Sequence, residues 1–293
     1  GALEEHHLLG GIPVAGPAGP EKNAVRLPGG LEKDALPPGS DLPVRLSGGI
    51  RFEALTFGYE PNQPILKNLN LVIAPGEKIA IVGPTGSGKS TLIRLLTRSY
   101  DFPDQSIFLD NIDLNHIRSS DVRRRVGVVL QDFHIFAGSV LDNIQLGNPN
   151  ITREDAIKAA RWVQAHDFIQ GLPEGYDTKL HERGQNLSQG QRQLLSFARV
   201  LASDPEILVL DEATASIDTE TEQKIQTALK HLTKGRTAIL IAHRLQTIQE
   251  ADRIVVLKQG EIREVGTHAE LMRLQGLYYT LTQLQFQDVS RSP

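Results

Sequence analysis

The 293-residue sequence contains no cysteine, which excludes disulfides and thiolate metal sites and fits a reducing compartment. It also lacks any apolar run near the roughly 18 residues needed to cross a bilayer. Its longest apolar blocks are short, such as Ile207–Leu210 and Ala238–Ala242, and suit buried strands. No excess of basic charge is present. Lys and Arg total 31 against 35 Asp and Glu, a net charge of −4, which argues against a general nucleic-acid binder. No secretory signal is visible at the start of this sequence, and it shows no internal repeat and no heptad run. The first residue is Gly1 rather than methionine, so an excised fragment or a processed product is expected. What remains is an ordinary globular composition, 40% hydrophobic and 23% charged, long enough for one large domain or two small ones.

The first 48 residues differ from the rest. They hold 7 of the 16 prolines and 9 of the 26 glycines, with neither helical nor alternating period, and predict a linker or tail. The folded domain is expected over 49–293. Alternation over Ile50–Phe57 and the run Leu69–Ile73 predict two strands, and Pro75-Gly76 a turn. Thr152-Arg153-Glu154-Asp155 resembles a capping box opening a helix through Ala156–Val163, and Ser188 to Leu201 predicts a second. Strands are expected at Ile207–Leu210 and Thr237–Ala242, a hairpin at Ile254–Val265 turning at Gln259-Gly260, and one helical stretch over Ala269–Gln285. Strands alternating with helices imply an α/β core with a mostly parallel sheet. The block 133–202 has little strand signal and is expected to be a helical insertion.

Gly83-Pro84-Thr85-Gly86-Ser87-Gly88-Lys89-Ser90 is the most informative segment. It reads G-x-x-x-x-G-K-[ST], between the strand-like Lys78–Val82 and the helix-like Ser90-Thr91-Leu92-Ile93-Arg94-Leu95-Leu96. Glycines let successive N–H groups turn into one concavity, and the helix N-terminus adds a positive dipole end. Lys89 would reach the β- and γ-phosphates of a nucleotide and the Ser90 hydroxyl would ligate Mg²⁺. The alternative is a plain glycine turn between a strand and a helix, which the strand–loop–helix context disfavours.

Asp211 and Glu212 end the apolar run Ile207–Leu210, and ligands in open α/β sheets bind at such carboxyl ends. Asp211 is placed to hold Mg²⁺ and Glu212 to orient or deprotonate an attacking water. Phosphoryl transfer needs this positioning and charge compensation more than covalent help. Leu187-Ser188-Gln189-Gly190-Gln191 opens a helix. Ser188 is a good N-cap and Gln191 its matching third residue, so the segment alone reads as a capping box.

Together these segments resemble the nucleotide-binding domain of the ATP-binding cassette (ABC) family, over about Ile50 to Leu284. The resemblance implies a P-loop core, an antiparallel β part and a helical part carrying the signature Leu187–Gln191, with ATP and Mg²⁺ as cofactors. It implies that two such domains pack head to tail, so that Ser188, Gly190 and Gln191 of one cap the γ-phosphate held by Gly83–Thr91 of the other. Further positions match one by one. Tyr59 falls where an aromatic stacks on adenine. Gln131 matches the glutamine that reaches Mg²⁺ and the attacking water. Asp218, in Ser216-Ile217-Asp218, lies in the loop that contacts the partner. His243 matches the histidine at the γ-phosphate.

Glu182-Arg183-Gly184 before the signature, Phe133–Ile144 and Gly266–Leu271 resemble the exporter branch. That branch implies a transmembrane domain not contained in this chain and a place on the cytoplasmic face of the cell membrane. Two positions depart from the pattern. Gln189 replaces the usual third glycine of the signature, as in some exporters that pair two different halves, and His181 replaces a more usual glycine. Alternatives are the separate ATPase subunit of an importer, a soluble ABC ATPase, or a nucleotide-dependent module that does not hydrolyse. The long linker and the loop before the signature argue against the first. One cassette without heptads argues against the second, and Glu212 against the third.

Overall fold

The computed structural model describes residues 45–130, 134–211, 219–242 and 245–286. The expected tail lies almost wholly outside them. The packed chain starts before Gly49, however, because Leu46 is buried and the Asp110 carboxylate accepts the successive N–H groups of Ser47, Gly48 and Gly49. A carboxylate gathering three neighbouring amides fixes the entry of the chain without any regular element.

Strands β1 (Ile50–Phe57) and β2 (Leu66–Ile73) form an antiparallel pair. With β4 (Ile107–Leu109) and β5 (Ile112–Asp113) they make a four-stranded sheet of order β2-β1-β4-β5. β3 (Lys78–Val82) and helix α1 (Lys89–Leu96) enclose the glycine loop. Helix α2 (Ser119–Arg125) leads into β6 (Val126–Val129). The helical part then comprises α3 (Val140–Gln145), α4 (Arg153–Trp162), α5 (His166–Gln170) and α6 (Gln189–Ala202). It also holds a short antiparallel ladder of β7 (Gly138–Ser139) with β8 (Lys179–Leu180). β9 (Ile207–Asp211), α7 (Thr219–Thr233), β10 (Thr237–Ile241) and α8 (Leu245–Gln249) return to the core. β11 (Arg253–Lys258) and β12 (Glu261–Gly266) form the hairpin, followed by α9 (His268–Leu274) and α10 (Leu277–Phe286).

The main sheet has the order β12-β11-β3-β10-β9-β6, with β11, β3, β10, β9 and β6 parallel and β12 antiparallel at one edge. Its central strands read as continuous apolar runs because both faces are covered. Alternate residues separate cleanly. Ile79, Ile81, Val209, Ile239 and Ile241 join the core under the antiparallel sheet and α1. Ala80, Val82, Leu208, Leu210 and Leu240 join the core under the helical part. Leu194, Leu195, Phe197, Ala198 and Leu201 bury the inner face of α6 at helical spacing.

The expected single C-terminal helix is two helices. Gln275 adopts φ 50° and closes α9, and the Glu264 carboxylate then accepts the N–H groups of Leu277 (2.5 Å) and Tyr278 (3.0 Å), capping α10 from a different strand. A Cβ at Gly276 would overlap that carboxylate, so the cap and a longer residue there exclude each other.

Reciprocal capping boxes open α3 (Ser139, Asp142), α4 (Thr152, Asp155), α6 (Ser188, Gln191) and α9 (Thr267, Glu270). The N–H and hydroxyl groups of their caps hold Asp142, Asp155 and Glu270 below the usual carboxylate range, and the Arg153 guanidinium does the same for Asp177. Each folded-state value is depressed, so the contribution is complete above the unfolded value of about 4 and is lost as pH falls through the folded values. Urea unfolding midpoints are expected to stay flat near neutrality and to decline below about pH 4. A midpoint that rises on acidification would contradict this assignment.

Candidate functional site

Parallel strands deliver their carboxyl ends to one edge of the sheet, and this edge collects most of the candidate residues. β3 runs into Gly83, β9 ends at Asp211, and the register places Asp211 beside Ile241 of β10. The chain continues from β6 through Leu130 to Gln131, and from β10 through Ala242 to His243. Gln131, Glu212, Asp218 and His243 themselves lie outside the described residues.

The loop Gly83–Ser90 folds around Lys89. Its ammonium donates to the carbonyls of Gly83 (2.7 Å) and Pro84 (3.0 Å) and to Ser87 Oγ (3.4 Å). Burial lowers the Lys89 pKa, and the nearby Asp211 carboxylate opposes that shift. Gly88, at φ 106°, forms the N-cap of α1 and provides no side-chain cap, in contrast to the four boxed helices. The amides of the first turn of α1 are thereby left to an anion from outside the helix. Gly83 is required for a different reason. A Cβ there would overlap the Leu257 carbonyl oxygen on β11.

Ser90 is exposed at the mouth of the loop, whereas Thr91 is buried. Ser90 and Asp211 line one cleft of about 870 Å³, which extends past Arg94 and Tyr100. A hydroxyl and a carboxylate on one cleft beside an ammonium-bearing loop are hard oxygen donors of the kind Mg²⁺ takes alongside phosphate and water, so the residues fit that ion.

Tyr59 sits close to α1. Its hydroxyl donates to Thr91 Oγ1 and accepts from Arg94 Nη1, both at 3.3 Å. Its ring stands edge-on to Phe57 (5.3 Å) and Tyr100 (4.9 Å). Sequence reasoning missed Arg94 and Tyr100, although Arg94 lies one helical turn beyond Thr91. The hairpin turn Gln259-Gly260, with both residues at positive φ, ties the two halves of this region together. Gly260 donates its N–H to Ser87 O (3.1 Å) and accepts from Lys67 N on β2 (2.9 Å).

The signature residues lie elsewhere on the chain. Ser188 Oγ accepts from Gln191 N (3.2 Å) and Gln191 Oε1 accepts from Ser188 N (2.9 Å), while Gly190 is buried in the first turn of α6. The hydroxyl thus spends a lone pair on the cap and keeps its proton to donate. Ser188 and Gln191 line a separate cleft of about 730 Å³ with Arg161, His166 and Lys224. The phosphate loop and the signature therefore serve different clefts of one molecule.

The ABC transporter family model matches residues 66–215, which include the loop, the signature and Asp211. The chain belongs to the ABC transporter family. It is 48% identical over 242 residues to the uncharacterized ABC transporter ATP-binding protein YknV of Bacillus subtilis, spanning 83% of this chain and 40% of that protein. It is 47% identical over 251 residues to the ATP-dependent lipid A-core flippase of Chromohalobacter salexigens, spanning 85% of this chain and 43% of the flippase. Among solved structures, a bacterial Atm1-family ABC exporter with ATP bound superposes with a TM-score of 0.78 at 40% identity, covering 86% of this chain and 44% of the exporter. The chain thus spans about two fifths of the length of these curated relatives. The architecture is accordingly the P-loop α/β core of this ABC family, with its antiparallel and helical parts.

Two of the three glycines of the loop, Gly83 and Gly86, separate steric from conformational need. At Gly86, with φ 77°, no atom lies within 4 Å of where a Cβ would stand, so Gly86→Ala is expected to cost about 1 kcal/mol of backbone strain. Gly83→Ala must displace β11 and is expected to cost more than about 2 kcal/mol and to weaken nucleotide binding far more than Gly86→Ala. Denaturant titration and nucleotide affinity of the two variants check the order.

Proposed function

We propose that this chain is the ATP-binding and hydrolysing motor domain of an ABC exporter, coupling ATP-driven dimerisation to export of a substrate across a membrane. The observation that carries the composite-site part of this reading is the separation of Ser188 and Ser90 into different clefts. A γ-phosphate that touches both needs a second nucleotide-binding domain packed head to tail. That second domain is either a copy of this chain or a different half, and Gln189 favours the latter.

In this reading Gly83–Ser90 and Thr91 wrap the phosphates, Lys89 bridges the β- and γ-phosphates, and Tyr59 stacks on the base. Ser90, Gln131 and Asp211 would hold Mg²⁺, which would supply charge compensation for the phosphates. Glu212 activates water, and His243 supports the γ-phosphate. Across the interface, Ser188 donates its hydroxyl proton to the partner's γ-phosphate, the α6 N-terminus adds its dipole, and Asp218 contacts the partner. The exporter assignment is supported by relatives named as a lipid A-core flippase and as multidrug export proteins. Those relatives are ATP-binding/permease or flippase chains of which the match covers 42–43%. The rest of this transporter is accordingly a transmembrane domain, with the present domain on the cytoplasmic face. Residues 1–48 would join the two.

ATP hydrolysis per chain, followed against protein concentration with Mg²⁺, tests the proposal. The wild-type rate is expected to rise with concentration. Glu212→Gln should retain binding, lose on the order of 100-fold or more in turnover, and accumulate an ATP-dependent dimer on sizing. Lys89→Ala should weaken binding itself. Turnover by Glu212→Gln at the wild-type rate would remove the role given to that carboxylate.

A further inference from the structure

One cation of the helical part has no task in the reaction described above. Arg199 lies near the carboxyl end of α6 and donates three ways: Nε to Asn143 O (2.8 Å), Nη1 to His134 O (2.8 Å) and Nη2 to Asn143 Oδ1 (3.1 Å). Its guanidinium also faces the Phe136 ring at 5.7 Å. Asn143, 1% exposed, accepts the N–H of Phe136 and donates to the carbonyls of Phe136 (2.9 Å) and Ser139 (3.1 Å). Residues 134–143 are thereby folded around one amide and clamped to α6 by one arginine.

The same segment meets the other end of α6 by a second route. Ile135 O accepts from Arg183 N at 3.0 Å, and a Cβ on Gly184 would stand 3.1 Å from both Ile135 and Arg192. Arg192, on the first turns of α6, donates to the carbonyls of Gly184 (3.3 Å) and Leu187 (2.8 Å), next to Ser188. A helix attached at one point can pivot. Attached at both ends to one segment, it cannot rotate without that segment. His134 begins this segment three residues after Gln131.

Stability alone is a poor reason for such a group. Burial pushes the Arg199 pKa down to about 10, so it remains charged at neutral pH, and its partners among the described residues are neutral oxygens. Taking a cation partly out of water costs free energy that its hydrogen bonds to neutral oxygens must first offset. What an arginine adds is a planar fork that satisfies several acceptors in one fixed orientation.

We propose that Arg199 is a positioning residue for ATP hydrolysis. Its three-way clamp makes the signature helix and the segment following Gln131 one rigid unit, which sets the orientation in which Ser188 meets the partner's phosphate. This inference rests on the composite-site reading. It assigns Arg199 no contact with nucleotide.

Arg199→Met and Arg199→Lys in the whole chain test it, alone and in a Ser188→Ala background. Arg199→Met is expected to lower kcat by about tenfold or more, since small misplacements remote from the chemistry are costly. Arg199 also borders the cleft of Ser90 and Asp211, but its three hydrogen bonds all go to residues 134–143, so KM for ATP should stay within about twofold. The urea midpoint and the emission of Trp162, the single tryptophan, should be unchanged. Arg199→Lys should recover part of kcat, because an ammonium reaches fewer of the three oxygens. In the Ser188→Ala background, Arg199→Met should cost less than about threefold, the mark of two residues acting through one contact. Wild-type kcat in Arg199→Met, fully additive losses with Ser188→Ala, or a fall in kcat matched by a fall in the midpoint would each overturn the proposal. A wild-type chain that binds ATP but never releases phosphate overturns instead the hydrolase reading on which it stands.

Discussion

Strands that run the same way must each be re-entered from the same side, so every crossover starts where the previous strand stopped. In this chain β6, β9, β10 and β3 obey that constraint, and their carboxyl ends lead to Gln131, Asp211 and Glu212, His243, and the Gly83 loop. Strand direction alone thus brings Asp211 and the Gly83 loop, more than 120 positions apart, to one edge of the sheet, and points the chain there toward Gln131, Glu212 and His243. Register does the finer work. Alternate residues of these strands belong to two different cores, so a one-residue slip would exchange the cores and move every strand end together.

Helix N-termini divide into two kinds. Four are closed by reciprocal boxes, whereas α1, like α2 and α5, has no side-chain cap, and of these three only α1 is led by a glycine. The boxes are worth roughly 1 kcal/mol each by the usual cost of losing a cap, which makes an uncapped, glycine-led helix at the end of a central strand a stability concession. α6 is the intermediate case. Its box satisfies the backbone while leaving a hydroxyl proton at the tip, so one serine serves both folding and recognition.

The loop, the signature and the Asp211 strand were legible in the sequence because each is local: a few residues fix both the shape and the chemistry. The box at Thr152 and the turn at Gln259-Gly260 were legible for the same reason. Strands β4 and β5, of three and two residues, are too short to show a period. The Asp110 clamp on residues 47–49, the Glu264 cap on α10 and the Arg199 clamp were invisible for a different reason. Each joins groups from separate elements, and only the fold decides which carboxylate or guanidinium faces which amide. The break at Gln275 shows the cost of ignoring this, since periodicity alone continued the helix through it.

Gly260 touches the phosphate loop with its N–H and β2 with its carbonyl, while its Cα approaches Ile65 too closely for any side chain. Tyr59 hangs from the connection between β1 and β2. The interval between that ring and the phosphate loop is thereby held twice, by the Gly260 turn and by the Tyr59 hydroxyl on Thr91. A side chain added at Gly260 would therefore be felt on the phosphate loop and on β2 together.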